Sequence, residues 1–496
     1  MKLLIILLTL IIFSNCNRFY IKNYQAYKLK EINVRNFKSY EVFLEPYEFK
    51  ILFISNYYKK YLGETNKWWY DAIVYQVYIR SFYDSDNDGF GDIEGLIEKL
   101  DYITNLGFNC IWTLPLFESY YDGSIGRALG YEPIDYYNIH HHYGKLSDFD
   151  RYVKESHKRG VKVILDLVLN HTSLNNPWFI ASSTNDSFYK DWYKWTNISI
   201  EILDNSKWQL PWGGGKAYNV WHYNSLRQMY YYGTWGAELN YRDENVINES
   251  FKIANFWLNR GVDGFRLDAI RYLIEEGPYP LQADTKSTLD YIEKLQSNIR
   301  SINSNIISIG EVWTSDHVAN KYILDGKGLD QVFSFDFNYA INDSLISENA
   351  LSLKGYLYSR PKKSSFKNFG LFLDNHDLKR YFSRLDDNFM KAKLAISVLM
   401  TFPGTPYVYF GSEIGMKHHY SPMQWCECSN GGFSLSKPWL KLYCCKNPFN
   451  VDYQLKEYNS LLNWYKKMIK FRNDNFVLRQ GNIKLIKNDK KSVISY

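Results

Sequence analysis

Beyond its N-terminal segment the 496-residue chain has no apolar run of about eighteen residues, which excludes a membrane-spanning helix from its body. It also lacks a dense block of basic residues. Its 59 lysines and arginines stand against 53 acidic residues, a formal net charge of +6 spread along the chain, so the footprint needed to track a phosphate backbone is missing and no nucleic-acid partner is expected. Cysteine is scarce, with six residues. Cys426, Cys428, Cys444 and Cys445 stand one residue apart or adjacent, not at the spacing of two to four residues that structural zinc uses. In an oxidising compartment a disulfide between the two clusters is the expectation. Signs of disorder are also missing: hydrophobic residues make up 46% and charged residues 23%, ordinary values for a chain that folds around a core.

What is plentiful is aromatic surface, 18% of the residues, including 44 tyrosines and 15 tryptophans. Flat amphipathic rings stack on the apolar faces of sugars, although a general bias towards Lys, Asn, Ile and Tyr accounts for part of the excess. Met1-Lys2, the apolar residues 3–13 and Ser14-Asn15-Cys16 form the pattern of a secretory signal. Cys16 stands where a bacterial lipoprotein is cleaved and acylated, so an exported protein with a lipid anchor at Cys16 is expected; an ordinary signal with an incidental thiol is the alternative.

From about residue 66, β-rich apolar runs alternate with helical periodicity, the pattern of a parallel sheet covered by helices. Eight strands are expected, at 73–82, 110–117, 162–169, 264–268, 307–313, 331–337, 370–373 and 406–410. Helices at 93–106, 149–159 and 246–260 each run into a glycine, the residue suited to the left-handed turn after a helix. Eight such units make an α/β chain with a (β/α)8 TIM barrel, in two parts over 66–171 and 246–472. Residues 172–245 are too long for a loop and read as a small inserted domain above the C-terminal face, while 17–65 remains an extension without a motif.

Polar residues gather at the C-terminal ends of these strands, where a barrel of this type carries its chemistry. The third strand ends Asp166-Leu-Val-Leu-Asn170-His171, and the fifth ends Gly310-Glu311-Val312-Trp313. In Gly264-Phe-Arg266-Leu-Asp268 the two-residue repeat of a strand puts Arg266 and Asp268 on one face, where the guanidinium favours an ionised carboxylate. The seventh strand leads into Asp374-Asn375-His376-Asp377. An earlier segment, Asp84-Ser-Asp86-Asn-Asp88-Gly-Phe90-Gly-Asp92, places acidic side chains at alternate positions around a turn, as a calcium loop does, with the Phe90 carbonyl as a further ligand. It is not an EF-hand, whose twelfth position is a glutamate; here Gly95 stands there.

These four strand-end segments resemble, in order, the signature regions of the α-amylase family, glycoside hydrolase family 13, over residues 68–472. The resemblance implies a retaining hydrolase of α-1,4-glucosidic bonds in maltodextrin or starch, with Asp268 as nucleophile, Glu311 as general acid/base and Asp377 as the third carboxylate. It implies substrate contacts from Arg266, His376, His171 and Tyr131, and Ca2+ held by Asp84, Asp86, Asp88, Phe90 and Asp92. Asn170 would ligate a second calcium in amylase-like members, without evident partners in the insertion. A transglycosylase or an exo-glucosidase shares the same residues, and a non-catalytic homologue would lack one or more of the carboxylates. Glu132 and Tyr420 replace an aspartate and an arginine with which the oligo-1,6-glucosidase branch clamps a terminal glucose, which favours an open cleft and internal cleavage. Trp208, Trp212, Trp221 and Trp235 read either as stacking platforms or as the insertion's own core. The family's C-terminal β-domain is expected to be reduced to a remnant at 473–496.

Overall fold

The computed structural model describes residues 67–359, 365–443, 445–486, 488 and 490–496, together with the backbone of six strands within residues 6–54. Cys16, the expected acylation site, and Cys444 lie outside the described residues. Eight parallel strands close into a barrel: β1 (Val74–Val77), β2 (Cys110–Thr113), β3 (Lys162–Leu167), β4 (Gly264–Leu267), β5 (Ile307–Gly310), β6 (Gln331–Phe333), β7 (Phe369–Phe372) and β8 (Thr405–Tyr409). Closure comes from the pairing of β8 with β1, where Tyr407 lies opposite Val74.

Each of the eight expected strands is present, but all eight end short of the expectation at their C-terminal ends. Past β4 and β5 the residues that leave the ladder include Asp268 and Glu311, which line the site, whereas past β2, β3, β7 and β8 they are apolar residues such as Leu114, Val168, Leu373 and Phe410. The clearest case is 331–337, where the strand stops at Phe333 and Ser334 caps a helix, Phe335–Ile346, its hydroxyl accepting from the Phe337 N–H at 3.1 Å. The expected helix at 93–106 is broken at Lys99 into Ile93–Glu98 and Leu100–Leu106, and it ends as expected on Gly107 at φ 99°.

Aromatic side chains from three strands fill the barrel interior. Trp112 lies 5.4 Å from Phe333 and 6.2 Å from Tyr407, ring centre to ring centre, and Phe333 is 4.9 Å from Tyr407. This packed layer is the floor on which the polar strand ends stand.

Between β3 and the helix Glu244–Asn259 the chain builds a three-stranded antiparallel sheet from Trp195–Thr196, Met229–Tyr232 and Trp221–Asn224. Beneath it lies a small core of Leu203, Ala217, Val220, Trp221 and Tyr232. Near the end of the sequence Val493–Ser495 pairs antiparallel with the backbone of residues 10–12, part of a strand Ile6–Ile12 that also pairs with Phe49–Ile54. Among the described residues no helix is long and apolar enough to cross a membrane. The expectation of a disulfide between the two cysteine clusters is corrected: Cys426 is bonded to Cys428 within one cluster, and Cys445 is free.

Candidate active site

Arg266 is the centre of the site. Its side chain, 1% exposed, leaves β4 above the aromatic floor, with the guanidinium 5.4 Å from the Trp112 ring centre. It serves three carboxylates rather than the one foreseen from the sequence. Nη1 donates to Asp268 at 2.6 Å and to both oxygens of Asp166 at 2.9 and 3.1 Å, and Nη2 is 3.1 Å from Glu311 Oε2. Asp166 was visible in the β3 motif but unassigned. It is fully buried, and it also accepts from Tyr131 Oη at 2.8 Å and Trp112 Nε1 at 3.2 Å.

A second link joins the β4 and β5 loops. Ala269 sits in the left-handed region at φ 47°, an uncommon conformation for a residue with a Cβ, and its N–H donates to Glu311 Oε2 at 2.9 Å. The strained turn thus points the backbone behind Asp268 at the carboxylate across from it.

Burial raises the proton affinity of the whole cluster. It pushes Asp268 up to about 7, against Arg266 and with the charges of Asp166 and Asp377 adding to it. Asp377 is likewise raised to about 7 by burial and by Glu311, and Asp166 to about 6 by burial against the pull of Arg266. Glu311 is raised by burial, with Arg266 opposing; the Asp268 carboxylate adds to the rise, both by its charge and by accepting a hydrogen bond from the protonated form. Arg266 stands closer to Asp268, at 2.6 Å, than to Glu311, at 3.1 Å, which favours charge on the first and the shared proton on the second.

The two histidines are neutral for a similar reason. Burial lowers His171 to about 4 and His376 well below its ordinary value. Gln76 Nε2 donates to His376 Nδ1 at 3.0 Å, which leaves the hydrogen on Nε2, 2.8 Å from Tyr131 Oη and 3.3 Å from Asp377. Gln76 was not foreseen; its only signal in the sequence was one polar residue inside an apolar strand. His171 instead spends its Nε2 hydrogen on the Tyr131 carbonyl at 2.8 Å.

These groups open into a cavity of about 650 Å³. Tyr131, His171, Asp268, Glu311, His376 and Asp377 all line it, so the structure gathers the expected catalytic and substrate-contacting residues in one place, with Arg266 behind them. Its walls differ in character. Trp212, Trp235, Tyr272 and Trp313 line one part, with Trp212 stacked on Trp235 at 5.4 Å. Arg127 and Glu132 line another, paired at 3.0 Å, and Arg127 also holds Asp122 at 2.9 Å. Tyr420 turns its hydroxyl to the His376 carbonyl at 3.0 Å. The four tryptophans named from the sequence divide evenly: Trp212 and Trp235 face the cavity, whereas Trp208 and Trp221 pack on Tyr232 in the small core.

In the acidic loop after β1, carboxylate oxygens of Asp84, Asp86 and Asp88 lie within 4.8 Å of one another. Asp88 is raised by burial and by the charges of Asp86, Asp84 and Asp92, so the group concentrates hard anionic oxygens that repel one another, a donor set suited to a divalent cation. Asp84 also accepts from Asn87 N and Gly89 N, and Asp92, outside that group, accepts from Ser85 N, Ser85 Oγ and Gly95 N and so caps the helix Ile93–Glu98. The Phe90 ring stacks on His142 at 4.0 Å. Near Asn170 the chain supplies its own cation, since Lys194 is paired with buried Glu238 at 3.3 Å and with Glu275.

A closed parallel barrel that gathers three carboxylates around a buried arginine, in a cavity large enough for linked sugars and partly walled by aromatic rings, defines a glycosidase acting on O-glycosyl bonds. Residues 76–481 match the α-amylase catalytic-domain model, and the chain belongs to the α-amylase family. It is 32% identical to α-amylase 3 of Dictyoglomus thermophilum over 448 residues, 88% of this chain and 83% of that protein. It is 29% identical to an oligo-1,6-glucosidase of Parageobacillus thermoglucosidasius, over 86% of this chain and 88% of the relative. The crystal structure of an α-amylase from H. orenii superposes with a TM-score of 0.74 at 34% identity, covering 85% of this chain and 86% of that one.

Proposed function

We propose that the protein is a retaining hydrolase of α-1,4-glucosidic bonds in gluco-oligosaccharides of the maltodextrin type. The observation that carries this reading is Arg266 held between Asp268 and Glu311, with Ala269 N–H on the same Glu311 oxygen. Retention needs one ionised carboxylate to attack the anomeric carbon and one protonated carboxyl to release the leaving oxygen. Asp268 forms a glucosyl ester as the leaving oxygen takes the Glu311 proton. Water, deprotonated by Glu311, then cleaves the ester. Neutral His376, its hydrogen on Nε2, donates to the hydroxyls of the reacting glucose beside Asp377, and such bonds lower the barrier where they strengthen as the ring flattens. Because Glu311 must reach the leaving oxygen, the departing sugar lies on the side of Trp313, Tyr272, Trp212 and Trp235.

The experiment is the pair Asp268→Asn and Glu311→Gln, assayed on maltoheptaose with product anomers followed by NMR. Both variants are expected to fold and to lose about 1,000-fold or more in kcat, and the wild type to release the α-anomer first. Near-normal activity in either variant, or initial release of the β-anomer, overturns the reading. One observation favours a second reading, exo-action: the Arg127–Glu132 ion pair borders the cavity close to Tyr131. Maltoheptaose shortened one glucose at a time selects it; early maltose and maltotriose select internal cleavage; products longer than the substrate indicate transglycosylation.

The reading includes two further parts. Ca2+ is held by Asp84, Asp86 and Asp88, with Phe90 and Asp92 completing the loop; the ion neutralises the acidic cluster and braces the turn after β1. The chain is exported and acylated at Cys16, which palmitate labelling of the wild type but not of Cys16→Ala tests.

A further inference from the structure

We propose that Arg271 is a positioning residue for the acid/base Glu311, tying the loop after β5 to the loop that carries Asp268. The proposal rests on the assignment of Glu311 given above. Arg271 follows Asp268 by three residues and invites a reading as a cation for the leaving sugar, but its geometry is spent elsewhere. Nε donates to Asp284 Oδ1 at 3.2 Å and Nη2 is bonded to Asp284 Oδ2, while Nη1 donates to the carbonyl of Trp313. The side chain is 12% exposed and does not line the cavity, although its neighbours Tyr272 and Trp313 do.

The anchor is itself fixed. The Asp284 N–H donates to the Arg271 carbonyl at 3.0 Å, and Tyr322, fully buried, donates its hydroxyl to Asp284 Oδ1 at 2.7 Å. A planar guanidinium held on two sides by a carboxylate has little freedom left, so its remaining N–H defines the position of the Trp313 carbonyl. Trp313 is two residues beyond Glu311, and Glu311 N–H already donates to the Leu267 carbonyl of β4 at 2.9 Å. The segments 267–271 and 311–313 are therefore joined at three places: Leu267 to the Glu311 backbone, Ala269 to the Glu311 carboxylate, and Arg271 to Trp313. Only the last depends on a side chain whose removal leaves both reacting carboxylates intact.

The consequence is specific to proton transfer. A Glu311 displaced by a fraction of an ångström fails first on leaving groups that need a proton. The test compares Arg271→Ala, Arg271→Lys and Asp284→Asn on maltotriose and on α-glucosyl fluoride, whose fluoride leaves with little acid assistance. Arg271→Ala and Asp284→Asn are expected to lose about 100-fold in kcat/KM on maltotriose and less than about 5-fold on the fluoride, with Arg271→Lys between them and the wild type. Azide is expected to raise fluoride turnover in the two weak variants. Its attack on C1 breaks the C1–O bond of the glucosyl ester, forms α-glucosyl azide and returns the Asp268 carboxylate without base assistance. Equal losses on both substrates with no azide effect overturn the proposal in favour of a purely structural arginine. A raised KM for maltotriose at unchanged kcat overturns it in favour of a direct substrate contact. Glu311→Gln is the control, since absence of azide rescue there removes the acid/base assignment itself rather than the role of Arg271.

Discussion

Replacing Arg266 tests the electrostatic reading of the site most severely. Its guanidinium is the cation in contact with Asp166, Asp268 and Glu311, and it is buried with them. Breaking a buried ion pair by removing one partner costs about 3–5 kcal/mol, a large part of the roughly 5–15 kcal/mol that stabilises a folded protein. In Arg266→Met the cluster can escape part of that cost by taking up protons, which moves the loss from stability to activity. Asp268 is already at about 7 with Arg266 opposing the rise, and without that opposition it climbs further. Each unit of climb is about 1.36 kcal/mol and lowers the ionised fraction about tenfold at a pH below the pKa. The attacking form is the ionised one, so activity falls as pH drops through the raised value, and the acid limb moves upward. Arg266→Lys keeps a charge but not the fork that spans Asp268 and Glu311, and it is expected to fall between the two. The assay is kcat/KM from pH 4 to 9 on p-nitrophenyl α-glucoside, beside urea unfolding of each variant. Arg266→Met is expected to move the acid limb up by at least about one unit and to lose about 10-fold or more at pH 6. If Arg266→Met stays within about threefold of wild type with its acid limb in place, Arg266 does not hold the nucleophile charged.

Chelation of calcium is expected to lower Tm by a few degrees, since a ligand at about 100 times its Kd adds about 2.7 kcal/mol to the folded state; an unchanged Tm with no calcium in the purified protein makes the Asp84–Asp86–Asp88 loop a plain turn. His171 is held neutral to about 4 in the folded state but titrates near 6.5 when unfolded, so between those values the unfolded chain binds more protons and stability falls as pH falls. Relative to His171→Gln, the wild type is expected to lose up to about 3 kcal/mol of unfolding free energy between pH 7 and pH 4, and parallel curves for the two proteins refute the assignment. Trp212→Ala and Trp235→Ala are each expected to lower kcat/KM on maltoheptaose about 3- to 10-fold more than on p-nitrophenyl α-glucoside. Equal losses on the two substrates indicate that the rings support the fold rather than the departing sugar.

The sequence by itself determined the barrel and the identity of its polar strand ends. Alternation of β-rich runs with helical stretches is a local property, and so is the two-residue repeat that put Arg266 and Asp268 on one face; both are legible without knowing what lies opposite. Relations between segments distant in the chain were decided only by the tertiary structure. Arg266 and Asp166 are 100 residues apart, and the three-carboxylate cluster exists only because β3, β4 and β5 are neighbours in the closed sheet. The division of the tryptophans had the same origin, since Trp212 and Trp221 are chemically alike and only packing sends one to the cavity and the other to the small core. Arg271 shows the limit most plainly: its charge is evident in the sequence, but whether that charge meets a sugar or a carboxylate depends on where Asp284 and Trp313 are placed by the folds of two other loops.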